Sequence, residues 1–411
     1  MSSPLPKGAD YWKFGFIFFL FFAMDGTVIP YLSYWLHDVK HLDAYRIGVV
    51  FSVATAVALV LQPFVAVLTD RMDNRKQHVW VLIVAALFYA PFMVYGVNAA
   101  LGLSVWLAVV MYGLFIGFVS YTAGPFFEAY LEKASRGSRI EYGQIRMFGA
   151  IGYGLAASLA GYIYNYNPDA IFWVCSAAAL LLAVLFYNTA PRSALTPDHR
   201  QAASNPRYSF ASFVSFLRSR TLWCLMVWVV GAATLYIVFE QQFMVFFTSF
   251  FADKAQGVKV FGISLFLREL LVAFVMYHSP KYLNNIGGKN ALIAAGFVMS
   301  IRMLLASLIS NEYMAVALLF LHVIEVPLML VGIFKYIEEA FGGALSGSAY
   351  LFGYVFTRSV AGIIYSPLVG ELYERWGFPK TYQLMGLVCL LFTTLAIFTL
   401  SKKKPSTNAI A

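Results

Sequence analysis

The chain has 411 residues, of which 29 are Lys or Arg and 20 are Asp or Glu, so only 12% carry a charge, against about 25% in an ordinary soluble domain. Hydrophobic residues make up 61% and aromatic residues 18%, which is more apolar side chain than a soluble fold of this size can bury. This composition excludes a soluble enzyme, a nucleic-acid-binding protein and a disordered chain. The apolar runs are long and continuous, which indicates membrane-spanning helices rather than the alternating segments of a β-barrel.

Twelve apolar segments are long enough to cross a bilayer, which takes about 20 helical residues. In chain order they cover residues 11–36, 46–69, 78–98, 104–131, 144–166, 169–189, 220–250, 259–280, 290–310, 313–339, 346–372 and 379–400. The sequence therefore predicts an all-α membrane protein with both termini on the same side of the membrane.

The basic residues predict which side that is. Seventeen of them lie on the side that carries the termini and six on the opposite side. Because basic residues are retained in the cytoplasm, we expect both termini there, in a multi-pass membrane protein. The net charge of +9 then reflects topology rather than nucleic-acid binding.

One long polar segment interrupts the series of spans. Residues 190–218 are hydrophilic and contain three prolines, which is typical of a linker. They divide the chain into a six-helix bundle at 1–189, a cytoplasmic linker at 190–218 and a second six-helix bundle at 219–411. The polar segments 70–76 and 284–290 occupy corresponding positions in the two bundles. Two pseudo-symmetric halves of this kind are the plan of the major facilitator fold.

A few ionisable residues lie at membrane depth, where an unpaired charge costs several kcal/mol. They are Asp25, Glu128, Arg146, Glu240, Arg268, Glu269, Arg302, His322, Glu325, Lys335 and Arg358. Each opposite-sign combination has a structural interpretation as an ion pair between helices and a functional one, and we weigh the two evenly. The three cysteines lie in apolar runs and predict neither disulfides nor a metal site, and we expect no cofactor.

His322 and Glu325 favour a functional interpretation. They are three residues apart on one predicted helix and therefore share a face. Both side chains change protonation near neutral pH once the carboxyl is desolvated. With Arg302 and Glu269 on other spans of the same half, they predict a proton-binding site rather than a packing contact.

The chain resembles the lactose permease-like oligosaccharide:proton symporters of the major facilitator superfamily, from about Tyr11 to Leu400. The most similar segments are FFEAYLEKASR (126–136), EYGQIRMFG (141–149), FEQQFMVFFTSFFA (239–252), IGGKNALIAAG (286–296) and LHVIEVPLMLVGIFKYI (321–337). Several of these segments carry the unusual intramembrane charges, so the resemblance is specific.

The resemblance implies roles for individual residues. Glu128 and Arg146 match the carboxylate and guanidinium that bind sugar hydroxyls, and Tyr153 stands where the family has a tryptophan stacked on the sugar ring. Glu269 and His322 match residues that join sugar recognition to proton coupling. Glu325 matches the residue that gains and loses the proton, and Arg302 matches the cation that favours its release.

The departures from the family pattern imply a substrate other than lactose. Tyr121 and Val272 stand where the family has two asparagines at the sugar, and Asp25 replaces an apolar residue. Asp25 has two open interpretations: a contact to an extra hydroxyl, or a pair with Arg146 or another cation. Arg268 and Lys335 have no assigned role.

A second set of departures concerns interhelical ion pairs. Ile237 and Leu319 replace an Asp and a Lys of the family's two pairs, and the remaining Glu240 and Arg358 are expected to pair with each other.

The sequence thus predicts a monomeric transporter, not an enzyme, that imports a disaccharide or small oligosaccharide with protons across the lipid bilayer by alternating access. One sugar site would lie near the bilayer midplane between the halves. The alternative is a proton-coupled drug exporter on the same fold, which the polar cluster of Glu128, Arg146, Glu269 and His322 disfavours. A membrane-embedded sensor is also disfavoured, because no soluble signalling domain is visible.

Overall fold

The computed structural model describes residues 9–71, 77–124, 127–128, 142–187 and 216–401. Most of the predicted linker, as well as the segment 72–76, lies outside these ranges. Within them every regular element is a helix, which confirms the predicted all-α class.

Among the described residues, the first half of the chain contains α-helices and two π-helical turns. They are α1 (Ala9–Asp38), α2 (Ala44–Arg71), α3 (Gln77–Leu87), the π-helical turn Pro91–Gly96, α4 (Val97–Leu103), α5 (Val105–Ile116), the π-helical turn Gly117–Thr122, α6 (Tyr142–Tyr166) and α7 (Ala170–Tyr187).

The second half contains longer helices and two further π-helical turns. They are α8 (Arg220–Trp228), the turn Val229–Ala233, α9 (Thr234–Gln241), α10 (Phe243–Thr248), α11 (Lys254–Ile286), α12 (Gly288–Ala306), α13 (Glu312–Phe320), α14 (His322–Ser348), the turn Ala349–Phe356 and α15 (Thr357–Thr399).

These helices account for the predicted number of spans. Ten stretches are long and apolar enough to cross a membrane, and α3 forms an eleventh span with Pro91–Leu103 across a 52° bend. The tenth stretch, Leu345–Thr399, has 55 residues, about twice what one span needs. It bends at Gly377, where φ is 76°, a left-handed conformation that suits glycine. The described residues therefore contain ten or eleven candidate spans, and the bend at Gly377 divides the longest of them into two helices, as the predicted spans 346–372 and 379–400 require.

Two compact units divide the chain. The first comprises Met1–Leu42, Val49–Asn205 and Asp253–Leu270, and the second comprises Asp43–Gly48, Pro206–Ala252 and Leu271–Ala411. The first part of α11, with Arg268 and Glu269, thus groups with the N-terminal residues, whereas a cut at the linker would place it with the C-terminal ones.

Close packing of α1 against α6 organises the first unit. A Cβ atom added at Gly26 would collide with the backbone of Tyr153, and one added at Gly152 would collide with the backbone of Phe19. Because a backbone cannot move aside as a flexible side chain can, only glycine permits this approach. Small residues serve the same purpose in many membrane helix pairs.

Gly26→Ala is therefore expected to destabilise the protein by about 1–3 kcal/mol, the usual effect of overpacking. The measurement is thermal unfolding of the purified protein in detergent. Gly102→Ala is the matched control, because no atom lies within 4 Å of the added Cβ and alanine is the better helix former. Equal midpoints for the two variants would contradict the tight α1–α6 contact.

Candidate functional site

Two groups of intramembrane charges form sites, one in each unit. We call Glu240, Arg302, His322 and Glu325 the Arg302 cluster, and we call Glu128 with Arg146 the N-unit pair. Helices α9, α12 and α14 supply the first group, and Arg146 of the second lies on α6.

Arg302 holds two carboxylates at once in the Arg302 cluster. Its Nη1 lies 2.5 Å from Oε1 of Glu240 and 2.5 Å from Oε1 of Glu325. The Arg302 side chain is 1% exposed and that of Glu325 is 0% exposed, whereas Glu240 is 25% exposed. Removing one partner from a buried pair costs about 3–5 kcal/mol, so these charges depend on one another.

His322 joins the same cluster from the first turn of α14. Its Nδ1 lies 3.5 Å from Oε1 of Glu325 and 3.8 Å from Oε1 of Glu240. The hydroxyl of Tyr236 lies 3.2 Å from the same nitrogen. The imidazole therefore contacts a buried carboxylate and a phenol, both of which can exchange hydrogen-bonded protons with it.

Aromatic rings line the guanidinium of Arg302. Its central carbon lies 4.9 Å from the ring centroid of Phe239 and 5.6 Å from that of Phe243. Among the described residues, Oε2 of Glu325 and Nε and Nη2 of Arg302 are buried without a hydrogen-bond partner. Glu325 thus shares one oxygen with Arg302 and keeps the other available for a proton.

The donor atoms of this cluster are also close enough to ligate a metal. One atom each from Glu240, His322 and Glu325 lies within 4.8 Å of the others. The guanidinium of Arg302 already supplies the positive charge at this position, and a metal would have to displace it. The geometry is that of an ion cluster built from protein groups.

The structure differs from the expected pairing of Glu240 with Arg358. Glu240 lies against Arg302, and Arg358 donates to the hydroxyl of Tyr354 at 3.5 Å, with its guanidinium 5.2 Å from that ring. The physical reason is burial. Arg302 is 1% exposed whereas Arg358 is partly exposed, and a buried cation depends more strongly on its carboxylate partners.

The N-unit pair is more accessible. Nε of Arg146 donates to Oε1 of Glu128 at 2.8 Å, and the two side chains are 36% and 34% exposed. The guanidinium lies over the ring of Phe22, 4.0 Å from its centroid, a favourable cation–π distance. An arginine has five N–H donors, and this bond uses one of them, so the pair can also bind a polar ligand.

Glu269 forms a second ion pair in the same unit. Nε and Nη2 of Arg268 donate to its Oε1 at 3.2 and 3.0 Å. A Cβ atom added at Gly154 would lie 3.5 Å from the Cβ of Glu269, so the Glu269 side chain starts close to α6, at the residue that follows Tyr153. Arg268 is 5% exposed and neutralises Glu269.

Asp25 and Tyr121 lie near the remaining polar groups of this unit. Asp25 is within hydrogen-bond reach of Ser120, whose hydroxyl lies 3.4 Å from that of Tyr89. The carbonyl of Tyr121 accepts a hydrogen bond from Gln62 at 3.3 Å. No ion pair of Asp25 occurs among the described residues, and Arg146 is paired with Glu128.

Several contributors to these sites are absent from the sequence-based set. Tyr236 precedes Glu240 by four residues and therefore shares its helix face, which is a signal that sequence reasoning can use. Ser120 and Tyr89 come from different parts of the chain, and no periodicity predicts that they meet Asp25.

Lys335, to which the sequence assigned no role, lies 4.0 Å from Glu339, four residues further along the same helix.

The comparisons with known proteins cover almost the whole chain. The family described as LacY proton/sugar symporter matches residues 4–410. The raffinose permease of Escherichia coli is 38% identical over 97% of this chain and 95% of its own length. The melibiose permease of Enterobacter cloacae is 38% identical over 96% and 93%, and the lactose permease of Citrobacter freundii is 38% identical over 97% and 96%.

Solved structures of transporters share the fold. The nucleoside transporter NupG aligns with a TM-score of 0.78 at 13% identity, over 96% of this chain and all of that one. A D-xylose-proton symporter aligns with a TM-score of 0.67 at 15% identity, over 96% and 98%. At these identities the likeness concerns the arrangement of helices, and it confirms the predicted major facilitator fold.

Proposed function

The chain belongs to the LacY proton/sugar symporter family, and we propose that it imports a disaccharide or small oligosaccharide other than lactose together with protons. The observation that carries this proposal is the Arg302 cluster, in which a fully buried carboxylate keeps one oxygen without a hydrogen-bond partner among the described residues. An ionisable group at membrane depth is costly, and in transporters it usually binds a proton or another ion.

The N-unit pair is our proposed sugar-binding element. Its half-exposed carboxylate accepts hydrogen bonds from sugar hydroxyls, and its guanidinium donates them and neutralises the acid. Tyr153 offers an aromatic face to the sugar ring, and Tyr121 and Asp25 are further contacts that we assign to the same site.

Glu325 is our proposed proton carrier. When it is protonated, Arg302 remains paired with Glu240, so no buried charge is left without a partner. When it is ionised, Arg302 compensates both carboxylates. His322 lies within 4 Å of both acids and relays the change in protonation to sugar recognition, in which Glu269 also takes part.

The transport cycle follows from these roles. Glu325 is protonated before the sugar binds, and binding favours the change that exposes the sugar site to the cytoplasm. After the sugar leaves, Arg302 favours release of the proton. Each charge that moves inward contributes about 2.3 kcal/mol per 100 mV of membrane potential. We propose that the protein acts as a monomer in the inner membrane. We place both termini in the cytoplasm because the basic residues concentrate on the terminal side.

The nature of the sugar follows from the departures at the sugar site. Tyr121 and the buried Val272 replace two amides of the family, and Asp25 adds a carboxyl. Relatives named for raffinose, melibiose and lactose are all 38% identical to this chain, so identity does not select the sugar. We therefore propose only a sugar other than lactose, and the sugars named for three relatives, raffinose, melibiose and sucrose, are the candidates to test.

Uptake of radiolabelled sugars into proteoliposomes tests this proposal. With the interior made alkaline, melibiose, raffinose or sucrose should accumulate against its gradient, and lactose should accumulate at least about tenfold less, which corresponds to one missing polar contact of about 1.4 kcal/mol. An uncoupler should abolish the accumulation. Preference for lactose would contradict the substrate assignment, and extrusion of apolar cations without sugar uptake would favour the drug exporter.

A further inference from the structure

Asp25 differs in its ionic contacts from four glutamates that also lie at membrane depth. Glu128, Glu240, Glu269 and Glu325 each lie within 3.0 Å of an arginine nitrogen. Asp25 has no ion pair with any residue that the structure describes. A carboxylate without a nearby cation is unfavourable at membrane depth, and such a carboxyl group is usually protonated instead.

The position of Asp25 is close to the centre of the bilayer. The span Tyr11–Asp38 places it fourteen residues from one end and thirteen from the other, about 20 Å of helix on either side. Its backbone neighbours Gly26, Thr27 and Val28 are buried, whereas Asp25 itself is partly exposed. The carboxyl is therefore sheltered and still reachable by a proton.

Neutral groups surround this carboxyl. Ser120 interacts with it through its hydroxyl, the hydroxyl of Tyr89 lies 3.4 Å from that of Ser120, and Cys175 of α7 is near enough to interact with it electrostatically. From α6, Tyr153 lies against Gly26 through its backbone. A hydroxyl can donate to an ionised carboxyl and accept from a protonated one, so the surroundings suit both forms.

The charged groups that the structure describes in the same unit form no ion pair with Asp25. Arg146 is paired with Glu128 and stacked on Phe22, and Arg268 is paired with Glu269. Neither arginine therefore compensates Asp25 in this arrangement.

We propose that Asp25 is a second proton-binding site, which takes up a proton from one side of the membrane and releases it on the other during each sugar transport cycle. The proton adds to a carboxylate oxygen of Asp25 and leaves from it to water, with no other reactant. This inference rests on the proposed symport and adds that two protons, at Asp25 and Glu325, accompany each sugar.

Infrared spectroscopy tests whether Asp25 binds a proton, without any need for transport. The Glu325→Gln variant, reconstituted in lipid, should keep a carboxylic acid C=O band that disappears as the pH is raised. The double variant with Asp25→Asn should lose that band, and the double variant with Asp25→Glu should retain a titrating band. A band that is unchanged by Asp25→Asn would overturn the proposal.

The balance of sugar and pH gradients tests whether this proton is transported. With the membrane potential held at zero by valinomycin and equal potassium, a tenfold gradient of the transported sugar is balanced by about one pH unit for one proton and by about half a unit for two. We expect about half a unit for the wild type and for Asp25→Glu, and about one unit for Asp25→Asn.

The outcomes separate this inference from the proposed function. If the wild type and Asp25→Asn balance at the same pH difference, Asp25 is not a transported proton site. If Asp25→Asn changes the preferred sugar and leaves the balance unchanged, the carboxyl contacts the sugar but carries no transported proton. If no pH difference balances the sugar gradient in any variant, the proton symport itself is wrong, and the infrared band still reports on Asp25.

Discussion

Glu325→Ala should abolish uphill sugar uptake and leave the exchange of sugar across the membrane intact. Uphill uptake requires the empty transporter to return after Glu325 has lost its proton, which a permanently neutral side chain prevents even if Asp25 still exchanges its own proton. Exchange requires only that the loaded sugar site changes sides. The variant is permanently uncharged at this position, as the protonated wild type is. Its Arg302 keeps Glu240 as a partner at 2.5 Å, so the cluster remains compensated and the protein should fold.

The measurement compares two assays on the same proteoliposomes: accumulation driven by a pH gradient, and exchange of labelled for unlabelled sugar at equal concentrations. Accumulation should fall to the equilibrium level, and exchange should stay within about twofold of the wild type. Glu371→Ala is the control, because it removes a carboxylate from an exposed i, i+4 pair with Arg375, which is worth less than about 1 kcal/mol. Uphill uptake by Glu325→Ala would show that the proton binds elsewhere.

Arg146→Ala should remove measurable sugar binding. The guanidinium both donates to the sugar and neutralises Glu128, and each charge-assisted hydrogen bond contributes about 1.5–3 kcal/mol. Losing two of them lowers the affinity by about a hundredfold or more. Arg146→Lys should bind weakly rather than normally, because an ammonium group keeps the charge and loses the planar fork.

Equilibrium binding of labelled sugar to the purified variants measures this effect. Arg46→Ala provides a matched control, because Arg46 and Asp43 form an ion pair with side chains 36% and 35% exposed, nearly the same as Arg146 and Glu128. The control should bind sugar as the wild type does. Retained affinity in Arg146→Ala would eliminate the N-unit pair as the sugar-binding element.

The pairing of charges was the least predictable part of the site. Charge balance after the loss of an acid at position 237 and a base at position 319 favoured a pair between Glu240 and Arg358. In the structure Glu240 lies beside Arg302, and Arg358 lies beside Tyr354. Sequence spacing predicts neighbours on one helix, as for His322 and Glu325, but it does not predict which residues of different helices meet.

The surroundings of Asp25 were likewise not predictable from the sequence. The sequence left open whether it pairs with a cation or contacts a hydroxyl. The helices that surround it supply Ser120, Tyr89 and Cys175, none of which carries a positive charge. These residues come from three different elements, and only their packing brings them together.

The amino-acid sequence is enough to predict a helical membrane protein with many spans, because the length and continuity of apolar runs follow from the thickness of the bilayer. It also determined which ionisable residues lie at membrane depth, since their position within a span can be counted. The tertiary structure shows which of these ionisable residues form ion pairs with one another, and that Asp25 has no cation partner among the described residues. Such contacts depend on the rotation and approach of separate helices, which glycines such as Gly26 and Gly152 permit and which no local pattern encodes.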